Sequence, residues 1–291
     1  MIRKSGGRCF IIFLLFSHEF VMTDRYAVIG NPIAHSKSPL IHAAFARQSG
    51  QDMSYEAILA PLDGFAETVG KFRAAGGKGL NVTVPFKVEA WQLASRLTER
   101  ARLAQAVNTL KFEADDAILG DNTDGAGLVR DIVHNQDHPL QGKRILLMGA
   151  GGAARGVLLP LLEQQPAALF VVNRTAAKAL ELQHPFAAHG HVEAGGYADL
   201  AERQFDVVIN ATSSGLSDQL PPLPPGVFAT GALAYEMMYG RDTPFMVFAR
   251  QQGAARIADG LGMLVEQAAE AFLQWRGVRP QTAPVIGQLR A

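Results

Sequence analysis

A chain of 291 residues that is 48% apolar has material for one large domain or two of ordinary size. Lys plus Arg number 27 and Asp plus Glu number 27, which excludes the clustered basic excess of a nucleic-acid footprint or a polybasic membrane surface. The single cysteine, Cys9, excludes an internal disulfide and a thiolate metal cage, and makes a reducing cytosol the default compartment. Residues 1–22 begin with basic side chains and carry an apolar run over 9–16, too short to span a bilayer as a helix. No small-x-small cleavage site follows, so this leader reads either as an upstream over-extension or tail, or as a weak targeting signal.

From residue 23 to about 124 strands and helices alternate. Residues 25–30 read as a strand. Ser38 suits the N-cap of the next helix and Pro39 its first position, where a missing N–H costs nothing. Leu40, Ile41, Ala44 and Phe45 give that helix one apolar face, and Gly50 ends it. Residues 53–59 read as a second strand. A helix capped by Asp63 then runs to Gly76 and Gly77. A third strand over 79–84 leads into a helix over about 87–104, and residues 106–113 and 117–124 look like a hairpin. From 125 a second alpha/beta unit starts, with strands at 144–151, 167–174, 205–212 and 232–239, and a helix over 153–164. The stretch 221–225, PPLPP, reads as a stiff surface loop in preference to an SH3-type ligand. A long helix over about 260–276 and a short terminal one close the chain. No internal repeat is present. The fold class is α/β with an N-terminal α/β domain (23–124) and a dinucleotide-binding domain (125–259), residues 260–291 returning to the first.

The second unit carries the most specific local signal. Strand 144–151 runs into Gly149-x-Gly151-x-x-Ala154 and then into a helix, the context that gives this fingerprint weight. Gly149 permits the tight turn, Gly151 lets a pyrophosphate approach the backbone, and the helix N-terminus offers free N–H donors. NAD sites place a carboxylate about 20 residues further on. Here Asn173, Arg174 and Thr175 stand there, with Lys178 one turn later. A guanidinium, an amide, a hydroxyl and an ammonium suit a 2′-phosphate, so the reading is NADP(H). The plainer alternative is a solvated helix start.

In the first unit polar clusters gather near strand ends: Ser36 with Ser38, Thr83 with Lys87, and Asn108 with Asp121, Asn122, Thr123 and Asp124. Open α/β sheets bind ligands at strand C-termini, and hydroxyls at a helix start suit a carboxylate. The set reads as a site for a small hydroxylated anion. Lys87 at a cleft floor would lose water and move toward acid/base work, with Asp124 holding it; the bland reading is a solvated residue in a helix's first turn. Asp121 and Asp124 do not meet EF-hand spacing. His189 and His191 read as surface residues. Gln267 lies on the apolar face of the last long helix, where its amide needs either a ligand hydroxyl or a backbone partner.

These stretches together resemble the shikimate dehydrogenase family, the biosynthetic NADP-dependent kind. The resemblance rests on GNPIAHSKSP, NVTVPFK, QAVNTL, GDNTDG, GAGGAARG, NRTAAKA, INATSSG and DGLGMLVEQAA, and covers nearly everything from Met22 onward. It implies that Lys87 and Asp124 are the catalytic pair. It implies substrate contacts from Ser36, Ser38, Thr83, Lys87, Asn108, Asp124, Tyr239 and Gln267. For NADP it implies Gly149, Ala150, Gly151, Gly152, Ala153, Asn173, Arg174, Thr175, Lys178, Met237, Gly260 and, more remotely, Glu99 from the other domain. The implied reaction is reversible reduction of 3-dehydroshikimate to shikimate in aromatic amino-acid biosynthesis, in the cytoplasm. The leader has no family counterpart. Lys178 stands where many members carry Arg, and Glu236 where Asp is usual. An NAD-using quinate/shikimate enzyme and a non-catalytic NADP-binding sensor remain the competing readings. Oligomeric state is left open, a homodimer included.

Overall fold

The computed structural model describes residues 23–214 and 218–291; the leader reading falls outside them. In the first half, β1 (Asp24–Gly30), α1 (Ser38–Ser49), β2 (Met53–Leu59), α2 (Phe65–Ala74) and β3 (Gly77–Val82) follow one another. Then come α3 (Lys87–Leu93), β4 (Arg96–Leu97), α4 (Glu99–Ala104), β5 (Thr109–Phe112), β6 (Ile118–Asp121) and α5 (Asp124–Arg130). The sheet has the order β2-β1-β3-β5-β6-β4. β1 is parallel to β2 and β3, while β5 is antiparallel to both β3 and β6.

The second half contains β7 (Arg144–Met148), α6 (Gly152–Leu162), β8 (Ala168–Val172), α7 (Ala176–Leu180), α8 (Gln183–Phe186), β9 (Glu193–Gly195), β10 (Phe205–Asn210), β11 (Phe228–Glu236), α9 (Pro244–Gln251) and β12 (Arg256–Ala258). These strands form an all-parallel sheet, β12-β11-β10-β7-β8-β9. β7 and β10 are almost wholly buried on both faces, which is why they read as unbroken apolar runs. The strand order reverses between β7 and β10, the place where doubly wound sheets open a crevice beyond their strand ends.

The last helices, α10 (Leu261–Arg276) and α11 (Ala283–Arg290), pack on the first half. Val265, Ala268, Ala269 and Phe272 of α10 join Ile41 and Phe45 of α1 in one buried cluster, and the Trp275 indole donates to Leu110 O at 3.0 Å. Between the halves, α5 packs on both α6 and α10. Gly125 makes the α5–α6 approach possible, since a Cβ there would lie 2.5 Å from Gly156 O.

Three local expectations are corrected. The helix over 87–104 is two helices separated by β4, because Ser95 exchanges hydrogen bonds with Ile118 and residues 96–97 pair with β6. Thr98 then caps α4 by accepting from Ala101 N. Strand pairing wins here over helix propensity. Ser38 is the first residue of α1 and not its cap; the Ser36 hydroxyl accepts from the Ser38 N–H at 3.3 Å. Gly64, not Asp63, precedes α2, which ends at Ala74.

Candidate active site

At the C-terminal ends of β1 and β3 the chain is pinned: Asn31 N donates to Val84 O and Thr83 N to Ile29 O, both at 3.0 Å. The turn after β3 therefore delivers Lys87 into the first turn of α3 at a fixed place. A cavity of about 350 Å³ opens there. Ser36, Ser38, Thr83, Lys87, Asn108 and Asp124 line it from the first half, Gln267 from α10, and Met237, Tyr239 and Gly260 from the segments after β11 and β12.

Within this cavity the Lys87 ammonium donates to Asp124 Oδ2 at 2.6 Å, with side chains 28% and 13% exposed. The other Asp124 oxygen accepts from Asn108 Nδ2 at 2.7 Å. Asn108 is in turn locked: its Oδ1 accepts from Thr123 N at 2.8 Å and from the Thr109 hydroxyl at 3.0 Å. Gln267 donates to Leu264 O at 2.8 Å, and its Oε1 accepts from Asn108 Nδ2 at 3.3 Å. So the Gln267 amide has a backbone partner and also reaches the cavity wall. Buried polar groups cost free energy unless paired, and here each restrains the next, leaving the lysine in one place.

Asp121 does other work. It is fully buried and receives the Arg100 guanidinium as a fork, the Thr98 hydroxyl at 2.5 Å and Gln274 Nε2 at 3.0 Å. Burial opposes its charge, yet Arg100 and the hydroxyl outweigh it and hold the carboxyl below its usual range. Asp121 anchors the strand end from which Asp124 hangs, and ties it to α10.

Sequence reasoning missed a layer behind the cavity. Asn81 lines it and accepts from the Tyr55 hydroxyl at 2.7 Å. His42 stacks on Tyr55 at 4.2 Å between ring centroids and is fully buried, with no hydrogen-bond partner for either ring nitrogen among the described residues. Burial pushes His42 down to about 3, the Asn81 side chain opposing, so the ring is a neutral packing element. The asparagine in NVTVPFK was the available signal. Tyr55 and His42, read as strand and helix residues, carried none.

A second cavity, about 580 Å³, lies at the β7/β10 crevice. Gly149, Ala150, Gly151, Gly152, Ala153, Asn173 and Arg174 line it. Gly149 has φ +110° and a Cβ there would meet Ala211 O at 3.0 Å, so the turn requires glycine. No Cβ at Gly151 or Gly152 would meet any atom within 4 Å, leaving the α6 N-terminus open to a phosphate. Among the described residues Arg174 makes no hydrogen bond or ion pair, and none that lines this cavity is a carboxylate. These residues fit NADP(H). Thr175 and Lys178 do not line it; Thr175 O accepts from Asn173 Nδ2 at 3.0 Å and Lys178 is exposed on α7. Met237 and Gly260 line the first cavity instead. Glu99 lines neither; it pairs with Arg102 at 3.2 Å and lies 3.6 Å from His189 Nε2 across the halves. Its position in α4 turns it toward the α8–β9 connection. Pro221 and Pro222 face this second cavity, so PPLPP is part of its wall.

A parallel sheet with a glycine turn at its switch point, set against a second sheet that presents a lysine–aspartate pair, defines the class of two-sheet, dinucleotide-dependent dehydrogenases. Family signatures match along the chain: shikimate dehydrogenase substrate binding domain over 28–110, shikimate / quinate 5-dehydrogenase over 131–217, and shikimate 5′-dehydrogenase C-terminal domain over 260–290. The NADP(+) shikimate dehydrogenase of Nitrosospira multiformis is 68% identical over 93% of this chain and 98% of its own length. That of Aromatoleum aromaticum is 63% identical over 92% and 97%. Among solved structures, an Ael1 enzyme from Pseudomonas putida is 54% identical with a TM-score of 0.87, covering 91% of this chain and 98% of that one. Shikimate 5-dehydrogenase of Thermus thermophilus, solved with NADP(H) and shikimate, is 32% identical with a TM-score of 0.81 over 92% and 98%. The chain belongs to the shikimate dehydrogenase family.

Proposed function

We propose that this protein catalyses the NADPH-dependent, reversible reduction of 3-dehydroshikimate to shikimate, with Lys87 and Asp124 as its acid/base pair. The observation that carries the reading is the 2.6 Å Lys87–Asp124 contact inside a cavity walled by both halves of the molecule. NADPH, held by the glycine turn, Asn173 and Arg174, supplies the hydride to the ketone carbon. The ketone oxygen then gains negative charge and needs a proton. The Lys87 ammonium donates it, and takes it back in the reverse direction. Asp124 keeps the ammonium in place and accepts from a ring hydroxyl. Ser36 and Ser38, at the start of α1, receive the substrate carboxylate, while Thr83, Asn108, Tyr239 and Gln267 bind the ring hydroxyls. The Arg174 guanidinium, which makes no hydrogen bond or ion pair among the described residues, takes the 2′-phosphate. The single cysteine suits a reducing cytoplasm.

The test is a spectrophotometric assay of NADP⁺ reduction with shikimate, run beside NAD⁺ and beside quinate. The proposal expects the highest kcat/KM for the shikimate–NADP⁺ combination. A preference for NAD⁺ or for quinate would replace it with the alternative dehydrogenase, and binding of NADP⁺ without turnover would leave a sensor.

A further inference from the structure

The segment that carries Met237 and Tyr239 into the first cavity, and the segment that carries Thr212 along the second, begin at adjacent strand ends of the same sheet. Strand β10 ends at Asn210 and β11 at Glu236, and the two residues are register partners. Both are buried and belong to neither cavity. Their side chains meet: Asn210 Nδ2 donates to Glu236 Oε2 at 2.8 Å. From that contact hydrogen bonds run outward in two directions. Asn210 Oδ1 accepts from Thr212 N at 3.1 Å and from the Thr212 hydroxyl at 2.7 Å. Glu236 Oε1 accepts from Met238 N at 3.0 Å, and Oε2 also accepts from the Thr243 hydroxyl at 2.8 Å. The backbone closes the bracket, with Met237 N donating to Asn210 O at 3.1 Å and Gly260 N to Met238 O at 2.9 Å.

We propose that Asn210 and Glu236 are positioning residues, a buried strut that fixes the wall of the dinucleotide cavity at Thr212 relative to the wall of the substrate cavity at Met237 and Tyr239. The inference rests on the proposed dehydrogenase reading, because hydride transfer is the step that needs those two walls in one register. The groups that reach Glu236 among the described residues are all donors, so the position demands an acceptor at both oxygens. An isosteric amide cannot supply that. Whichever way a glutamine at 236 is turned, its NH₂ faces the Met238 N–H or the Asn210 NH₂. Turning Asn210 over to accept would take Oδ1 away from Thr212. Turned one way the amide loosens the Met238 end and turned the other way the Thr212 end, so either way one wall is released from the other. Misplacement of reacting groups by about 1 Å costs on the order of 10²-fold in rate.

The experiment compares wild type, Glu236→Gln, Glu236→Asp and Thr212→Val as folded, full-length enzymes. It measures kcat, both KM values, thermal midpoint, and the primary isotope effect with shikimate deuterated at the carbon that loses hydride. The strut predicts about a 10–100-fold lower kcat for Glu236→Gln, with KM values within about threefold of wild type and a larger isotope effect. Thr212→Val, which releases the cofactor end alone, shows the same split at smaller size. Glu236→Asp keeps an acceptor-only carboxylate and recovers most of the kcat lost in the amide variant. The strut is overturned if Glu236→Gln keeps kcat within twofold, or if all three variants lose activity only in proportion to their thermal midpoints. A wild-type enzyme that turns over normally while Glu236→Gln matches it removes the strut alone. A wild type that fails to oxidise shikimate removes the dehydrogenase reading and the strut with it.

Discussion

The two sheets hold their cavities by different means. On the parallel sheet the cavity is framed by backbone, a glycine turn with φ +110° and an open helix start, with the Asn173 and Arg174 side chains at a strand tip. On the mixed sheet they are side chains that brace one another, Lys87 on Asp124, Asp124 on Asn108, Asn108 on Thr123 and Gln267. A backbone site needs only that the chain turn correctly, and tolerates change in side chains around it. A braced site fails when one member is lost, because the partner left behind is buried without a hydrogen bond. The comparison teaches where mutations should act on chemistry, where on affinity and where on folding.

The largest contrast is expected at Lys87. Lys87→Ala should lower kcat by ~10²–10⁴ with the fold intact, since removal of a positioned acid/base group costs that much; steady-state rates at saturating ligands check it. Next comes Asp121→Asn, which leaves the Arg100 guanidinium short of its main partner. Breaking such a buried pair should cost about 3 kcal/mol of stability in denaturant unfolding. Because Asp121 is held below its ordinary value, its contribution is present in full above the unfolded carboxylate value, about pH 4, and is lost as pH falls through the lower folded one. The difference between wild type and variant should shrink there.

On the backbone-built side the effect is smaller and confined to affinity. Arg174→Ala should raise KM for NADPH by about 10–100-fold, the worth of a hydrogen bond to a charged group. KM for NADH should hardly move, and equal changes for both would remove the 2′-phosphate contact. The smallest effect concerns His42. Its folded value is pushed down to about 3 by burial, so the unfolded chain binds more protons between pH 3 and 6.5 and acid weakens the fold in that window. Wild type should lose about 1 kcal/mol from this group between pH 7 and 5.5. His42→Phe should lose none from it, as unfolding midpoints at the two pH values will show.

The same contrast explains what could be read in advance. A glycine turn is contiguous in sequence, and so is the Asn81–Lys87 stretch; both were legible together with most strands and the antiparallel hairpin. Lys87 and Asp124 are 37 residues apart, so their nearness could be read only from both falling at strand ends, and their role as a catalytic pair only from the family resemblance. The Arg100–Asp121 fork and the Tyr55–Asn81 contact join residues on different elements, and no local period encodes them. The break in the helix at Ser95 was hidden for a similar reason, since a distant strand edge outbids local propensity there. Glu99 stands in the second of those two helices, beside His189.

The claim on which the account depends is that an ammonium from the mixed sheet meets the substrate where the nicotinamide arrives from the parallel sheet. A crystal structure of the enzyme with NADP⁺ and shikimate tests it most directly. The account predicts Lys87 Nζ within about 3 Å of the hydroxyl oxygen on the carbon that loses hydride, still paired with Asp124. A structure with that nitrogen turned to bulk solvent, and another group on the hydroxyl, would contradict it.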